Sequence, residues 1–318
     1  VLNRRKFIGN SATLAASAFL FPAEILDAPP LLNKIGIQFF SVPKSLDTYL
    51  AATLSMLSKI GYKQVELYGP YPFSNEAGKK SWAAVTPSLG FSGSGFFGHS
   101  VTEFKKMLDD NGLTAPSMHT DLDTLEQNMP QLAEAAHILG TTYVVLPAIP
   151  AERRKTLGDY KKIAGAFNKI GAEAKKLEIK FAYHNHGYGW APMEGQIPEE
   201  LIFSGTDPSL VFFEMDLYWT TAAGVEPVTL LNKYTGRYRL IHIKDMIKKM
   251  HFSGDGGDSK QWIELFPNMT TAGNGVLYLK TILPTAKANG VEYFIVEQDM
   301  VANPDKALKS SYDYLASL

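Results

Sequence analysis

Eight short apolar runs rich in Val, Ile, Phe and Tyr alternate with longer stretches of helical periodicity from Ile35 to the C-terminus. The runs predict strands at Ile35 to Val42, Gln64 to Tyr68, Leu113 to His119, Tyr143 to Ile149, Lys180 to His186, Val211 to Leu217, Arg239 to Lys244 and Glu292 to Gln298. Helices are predicted over 45–60, 101–110, 123–139, 153–177, 198–204, 226–234, 276–289 and 304–317, several of them closed by glycine at Gly61, Gly112, Gly140 and Gly290. Near-continuous apolar strands, each followed by a helix, imply a parallel sheet covered by helices. Eight units fit a single-domain (β/α)8 TIM barrel of about 250 residues, with an open doubly wound sheet as the alternative.

Each of the last four runs becomes polar at its end: FAYHNH with His184 and His186, VFFEMD with Asp216, LIHIKD with His242 and Asp245, YFIVEQD with Glu297 and Asp299. In a parallel barrel these ends gather on one rim. Two connections leaving that rim, 69–100 and 246–275, are too long for simple turns, and loops there usually carry function.

Composition narrows the chemistry. The 318 residues carry 31 basic and 32 acidic side chains, and no stretch concentrates Lys and Arg enough to follow a nucleic acid backbone. The absence of cysteine excludes disulfides, thiol nucleophiles and Cys-ligated metals, so any metal must be held by nitrogen and oxygen.

Asn3-Arg4-Arg5-Lys6-Phe7-Ile8 precedes a small, apolar, Ser/Ala-rich run from Gly9 to Phe21, and resembles a twin-arginine export signal. Residues 1–30 are expected to be signal and linker, with Pro29-Pro30 as the break and 31–318 as the barrel. The expected location is then periplasmic or otherwise exported, or cytoplasmic if the segment is instead a docked amphipathic helix. The run is too short for a membrane span, which needs about 20 apolar residues.

Residues 93–98, Gly-Ser-Gly-Phe-Phe-Gly, match a dinucleotide fingerprint in spacing, but no buried strand precedes them, so they are read as loop hinges. The metal set is the stronger signal. Asp216 and Glu297 offer carboxylate oxygens, and His184 and His242 offer imidazole nitrogens, a mixture suited to Mn, Co, Zn, Fe or Ni better than to Ca. Singly, each has an ordinary structural role open to it, helix capping or core hydrogen bonding. Four on consecutive strand ends favour a shared cation.

Tyr183-His184-Asn185-His186, Asp216-Leu217-Tyr218-Trp219, His242-Ile243-Lys244-Asp245 and Val296-Glu297-Gln298-Asp299 together resemble the xylose isomerase-like barrels described as sugar phosphate isomerases/epimerases, in a branch marked by Tyr-His-Asn-His. Pro116-Ser117-Met118-His119 and Phe96-Phe97-Gly98-His99 fit the same branch. The resemblance implies one divalent metal (Mn, Co, Zn or Mg) held by His184, Asp216, His242 and Glu297. It also implies that Glu297 exchanges a proton with the carbon between two metal-held sugar oxygens, through an enediolate.

One departure matters. Ketose epimerases of this kind carry a second Glu where His184 stands, so inversion here would need His186 or Lys244 to serve the other face. The branch also commonly has an acid where Gly189 falls, followed by an aromatic, here Trp190. Glu66 and His119 point to the same rim as candidates for hydroxyl binding, and Trp190 and Trp219 as rings on which an apolar sugar face could stack. Lys244 is either an electrophile over a sugar oxygen or an ion-pair partner of Asp245 or Glu214.

The function expected is a metal-dependent isomerase/epimerase acting on a non-phosphorylated carbohydrate. The rivals are a lyase or dehydratase eliminating from a 3-keto sugar or glycoside, and a non-catalytic sugar-binding barrel. The expected partner is a small carbohydrate, with no nucleic acid and no membrane span.

Overall fold

The structure is a computed structural model that describes residues 30–299 and 301–318. The predicted export signal lies outside the described residues. Eight parallel strands close into a barrel: β1 Gly36–Gln38, β2 Gln64–Tyr68, β3 Thr114–His119, β4 Tyr143–Leu146, β5 Lys180–His184, β6 Val211–Asp216, β7 Tyr238–Ile243 and β8 Tyr293–Val296. Neighbours follow chain order, and β8 returns to pair with β1. The open-sheet alternative is thereby excluded. Half of the strands stop two or more residues before their apolar runs do, as where β1 gives way to a 3-10 turn at Phe39–Ser41.

The helices are α1 Pro43–Ile60, α2 Glu76–Leu89, α3 Val101–Asp110, α4 Leu122–Gln127, α5 Met129–Leu139, α6 Leu157–Lys176, α7 Pro198–Gly205, α8 Leu217–Ala222, α9 Pro227–Lys233, α10 Ser259–Leu265, α11 Leu279–Ala288 and α12 Pro304–Ala316. On α6 the buried positions Tyr160, Ile163, Ala164, Phe167, Ile170 and Ala174 recur every three or four residues, the stripe that packs a helix on a barrel wall. A capping box at Thr156 and Asp159 starts it. Gly140 ends α5 in the left-handed conformation, which costs glycine nothing sterically.

Four helices differ from the sequence expectation, one of them α8, which begins at Leu217, where the sequence predicts the end of the sixth strand. The predicted 123–139 helix is broken at Asn128, one residue before α5 begins and two before Pro130, which has no N–H to donate. The supposed loop 69–100 contains α2, and the 246–275 connection contains α10. Among the described residues no helix is long and apolar enough to cross a membrane.

Alternate strand residues face the barrel axis, so period two sorts the interior into layers. The floor is apolar: Tyr143, Val145, Ala182, Leu240 and Ile295 form one small cluster. Two residues further along β5, β7 and β8, each strand delivers a polar side chain, His184, His242 and Glu297. The core is thus apolar at the bottom and ionisable at the rim.

Candidate active site

His184, the last residue of β5, and His242, on β7, are buried, with ring centroids 4.7 Å apart. Asp216 ends β6 directly opposite His242 in register. Its Oδ1 caps α8 by accepting from the Trp219 N–H at 2.8 Å. Its Oδ2 lies 3.9 Å from His184 Nε2 and 3.9 Å from His242 Nδ1. Glu297 follows β8, with Oε2 2.7 Å from His242 Nδ1. The four residues singled out from sequence therefore share one polar centre, although each strand end also has structural work to do.

Asp216, His242 and Glu297 bring ligand atoms within 4.8 Å of one another, a grouping that could hold a divalent ion, and His184 Nε2 lies 3.9 Å from the Asp216 Oδ2 of that group. Asp216 is fully buried, and its Oδ2 accepts no aligned hydrogen bond even though Lys244 Nζ is 3.1 Å away. Lys244 offsets part of the charge, and a buried carboxylate oxygen held only by this unaligned ion pair keeps lone pairs that a further cation could take up. Metal bonds of about 2.0–2.2 Å would place neighbouring donor atoms roughly 3–4 Å apart, and two nitrogens with two carboxylates suit Mn, Co or Zn.

Lys244 follows β7 and is buried among three carboxylates, with Nζ 2.8 Å from Asp299 Oδ2, 2.8 Å from Glu297 Oε2 and 3.1 Å from Asp216 Oδ2. The pairing expected with Asp245 or Glu214 is not formed. Asp245 instead accepts the backbone N–H groups of Met246, Gly273, Gly275 and Leu277, tying down the return of the 246–275 excursion. Glu214 lies a layer lower. Burial opposes the charge on Lys244, but the surrounding carboxylates outweigh it and hold the ammonium protonated well above its usual range. Burial likewise opposes charge on Glu297, where Lys244 and His242 win and keep it ionised well below its ordinary range.

His186 stands beyond the end of β5. Its Nδ1 donates to the Pro147 carbonyl at 2.6 Å, which leaves Nε2 as an acceptor. Its ring lies between Trp219, at 6.2 Å, and Trp262 of α10, at 4.7 Å. Burial first, and then the charge of Lys244, keep this imidazole neutral. Trp219 is buried at the rim with its Nε1 unpartnered. Trp190 is buried and packs toward Phe203 of α7, with ring centroids 6.5 Å apart.

Glu66 and His119 sit below the rim, in the barrel interior. Glu66 Oε2 meets His242 Nε2 at 2.5 Å, His119 Nε2 at 3.0 Å and Gln38 Nε2 at 2.8 Å. Glu214 Oε2 meets His119 Nε2 at 2.8 Å and His184 Nδ1 at 3.0 Å. Four odd-numbered strands thus contribute Gln38, His119, His184 and His242, and two even-numbered strands contribute Glu66 and Glu214, the alternation expected of barrel layers. Burial would raise both carboxyls, yet the imidazoles beside them pull Glu66 far below its ordinary range and Glu214 down to about 2. His119 is pushed up to about 9, burial being overcome by the same two carboxylates.

Sequence reasoning missed Glu214 as a site residue, although its place two positions before Asp216 puts both on the same face of β6. It also missed Trp262, which no strand-end argument could reach from α10.

A family model described as a xylose isomerase-like TIM barrel matches residues 54–318. The chain belongs to that family. Inosose dehydratase from Clostridium beijerinckii is 26% identical over 163 residues, covering 49% of this chain and 51% of that protein. The chain therefore spans about half the length of this curated relative. A sugar phosphate isomerase/epimerase from Parabacteroides distasonis has a solved structure that covers 93% of this chain and 98% of its own, at 24% identity and a TM-score of 0.66. The structure of an IOLI protein with a bound zinc atom covers 89% and 94%, at 15% identity and a TM-score of 0.60.

Proposed function

We propose that this xylose isomerase-like barrel is a divalent-metal-dependent isomerase/epimerase of a non-phosphorylated carbohydrate or polyol carrying a ketone. The observation that carries the reading is the shared centre of His184, Asp216, His242 and Glu297, in which Asp216 Oδ2 is buried without an aligned donor. A divalent ion held by these four supplies positive charge that acidifies the carbon beside a ketone.

This chain's own residues would do the rest. Glu297 is the base: its carboxylate takes the proton from that carbon, and the C–H electron pair moves to form the enediolate. Its pinned geometry between His242 and Lys244 offsets its low basicity through orientation. Lys244 donates toward the oxygen that gains charge, and its attachment to Asp299 keeps the ammonium at the mouth. His186, fixed through Nδ1, offers Nε2 to a substrate hydroxyl or to the opposite face. Return of the proton to the neighbouring carbon, with the hydroxyl proton of the first carbon passing to the oxygen that gained charge, moves the carbonyl and completes isomerisation.

Dehydration is the second reading, favoured by the imidazole of His184 where a second carboxylate would serve inversion, and by the similarity to inosose dehydratase. Here the same proton is removed and a hydroxyl beta to the ketone leaves as water. Incubating the enzyme with inososes and 3-keto glycosides in deuterated water separates the two. Isomerisation is expected to give solvent deuterium in a product of unchanged composition. A product lighter by one water identifies the dehydratase, and no deuterium uptake with any ketone overturns both readings. Export remains part of the proposal, supported by the Arg4-Arg5 segment.

A further inference from the structure

We propose that Glu214, with Glu66 across the barrel, is a positioning residue that decides which nitrogen of His184 and of His242 faces the mouth, an inference that rests on the metal-dependent reading. Each of these imidazoles is two-sided. His184 gives Nδ1 to Glu214 and turns Nε2 toward Asp216. His242 gives Nε2 to Glu66, with Glu214 Oε1 at 3.3 Å, and turns Nδ1 toward Glu297 and Asp216. A ring that donates its N–H to an inner carboxylate keeps the outer nitrogen's lone pair for a cation and cannot flip without breaking that bond.

Three further observations favour positioning over simple packing. Both inner carboxylates are fully buried, and no Lys or Arg among the described residues pairs with either; their partners are imidazoles and Gln38. Two buried anions held only by imidazoles and an amide are an expensive way to fill a barrel. The register slips by one residue at both, between β2 and β3 beside Glu66 and between β6 and β7 beside Glu214. In the first case Pro116, lacking an N–H, falls at the slip. Such irregularities re-aim side chains near functional centres. Finally, His119 links the two carboxylates and lies nearly parallel to His242, at 11° and 5.5 Å. The carboxylates and three rings thereby lock as one unit.

The test uses the full chain. Nitrogen-15 NMR of the wild type is expected to show His184 protonated on Nδ1 and His242 protonated on Nε2, with the His242 Nδ1 proton, donated to Glu297 in the metal-free protein, lost when Zn2+ binds. Glu214→Gln keeps the shape and is expected to scramble the His184 assignment and to weaken Co2+ binding by about 10- to 100-fold, with altered cobalt absorption and little loss of thermal stability before metal is added. Glu66→Gln is expected to disturb His242 and its neighbour His119 and to leave the His184 assignment in place. The opposite tautomers in the wild type, or unchanged cobalt affinity in Glu214→Gln with lowered stability, would overturn the proposal. Two cobalt ions per chain would also overturn it, because the inner group would then be a metal site itself. If the wild type binds no cobalt, the metal-dependent reading fails, and the tautomers still decide the positioning claim.

Discussion

Glu297→Gln is expected to lower the rate of ketone α-hydrogen exchange by roughly 10²- to 10⁴-fold, the usual contribution of a positioned general base. The amide keeps the size of the side chain and can still accept from Lys244 and His242, whose nitrogens lie 2.8 and 2.7 Å from Oε2. What is lost is the lone pair that takes the proton, together with one negative charge at the centre. The two losses separate in the assay. Measured at saturating Mn2+ or Co2+, a deficit that persists in turnover belongs to the base, whereas one that vanishes belongs to metal affinity. A variant that retains a tenth or more of wild-type exchange under saturation removes Glu297 from the base role.

The second large effect concerns stability and lies away from the polar centre. Glu199, near the start of α7, is buried, and its Oε2 has no hydrogen-bond partner. Gly189 makes room for it, since a Cβ there would lie 3.1 Å from Oε2. Its charge is felt at the phenols of Tyr160, Tyr183, Tyr188, Tyr234 and Tyr238, and no cation offsets the burial, which raises its carboxyl from 4.5 to about 8.

The sign follows from linkage. The folded state holds this proton more tightly than the unfolded chain does, so its contribution is fully present below about pH 4.5 and is lost as pH rises toward 8. Glu199→Gln removes the titration. At pH 9 the variant is expected to be more stable than the wild type by on the order of 3–5 kcal/mol, and the two should converge near pH 4.5. Denaturant unfolding across that range checks it, and a difference that does not grow with pH would show that the carboxyl is charged in the fold.

The barrel was legible because its two periodicities are unmixed: apolar runs of strand length, then stripes such as that of α6. The helices that escaped notice lack a stripe for opposite reasons. No residue of α2 is buried, so no side of it is marked apolar. All six residues of α8 are buried, so none is marked polar. In α10 only Leu265 is buried, which leaves too little signal among glycines and charges.

The site shows a similar division. His184, Asp216, His242 and Glu297 announce themselves because polar residues at the end of apolar runs need a reason. Glu214 hides inside such a run, and its role depends on two imidazoles delivered by other strands. Glu66 and His119 were read as rim residues, whereas the register places them one layer lower among those imidazoles. Depth along a barrel axis depends on strand stagger, which one strand's sequence does not encode.

The central claim is that two imidazoles and two carboxylates at the ends of β5 to β8 hold one divalent ion. Full-length protein stripped with chelator and titrated with Mn2+, Co2+ or Zn2+ tests it most directly, followed by calorimetry and metal analysis. One ion per chain is expected, with a raised melting temperature, and both should be lost in a variant combining Asp216→Asn with His242→Ala. Failure of the wild type to bind any of these ions stoichiometrically, or full retention of binding in that variant, would contradict the account.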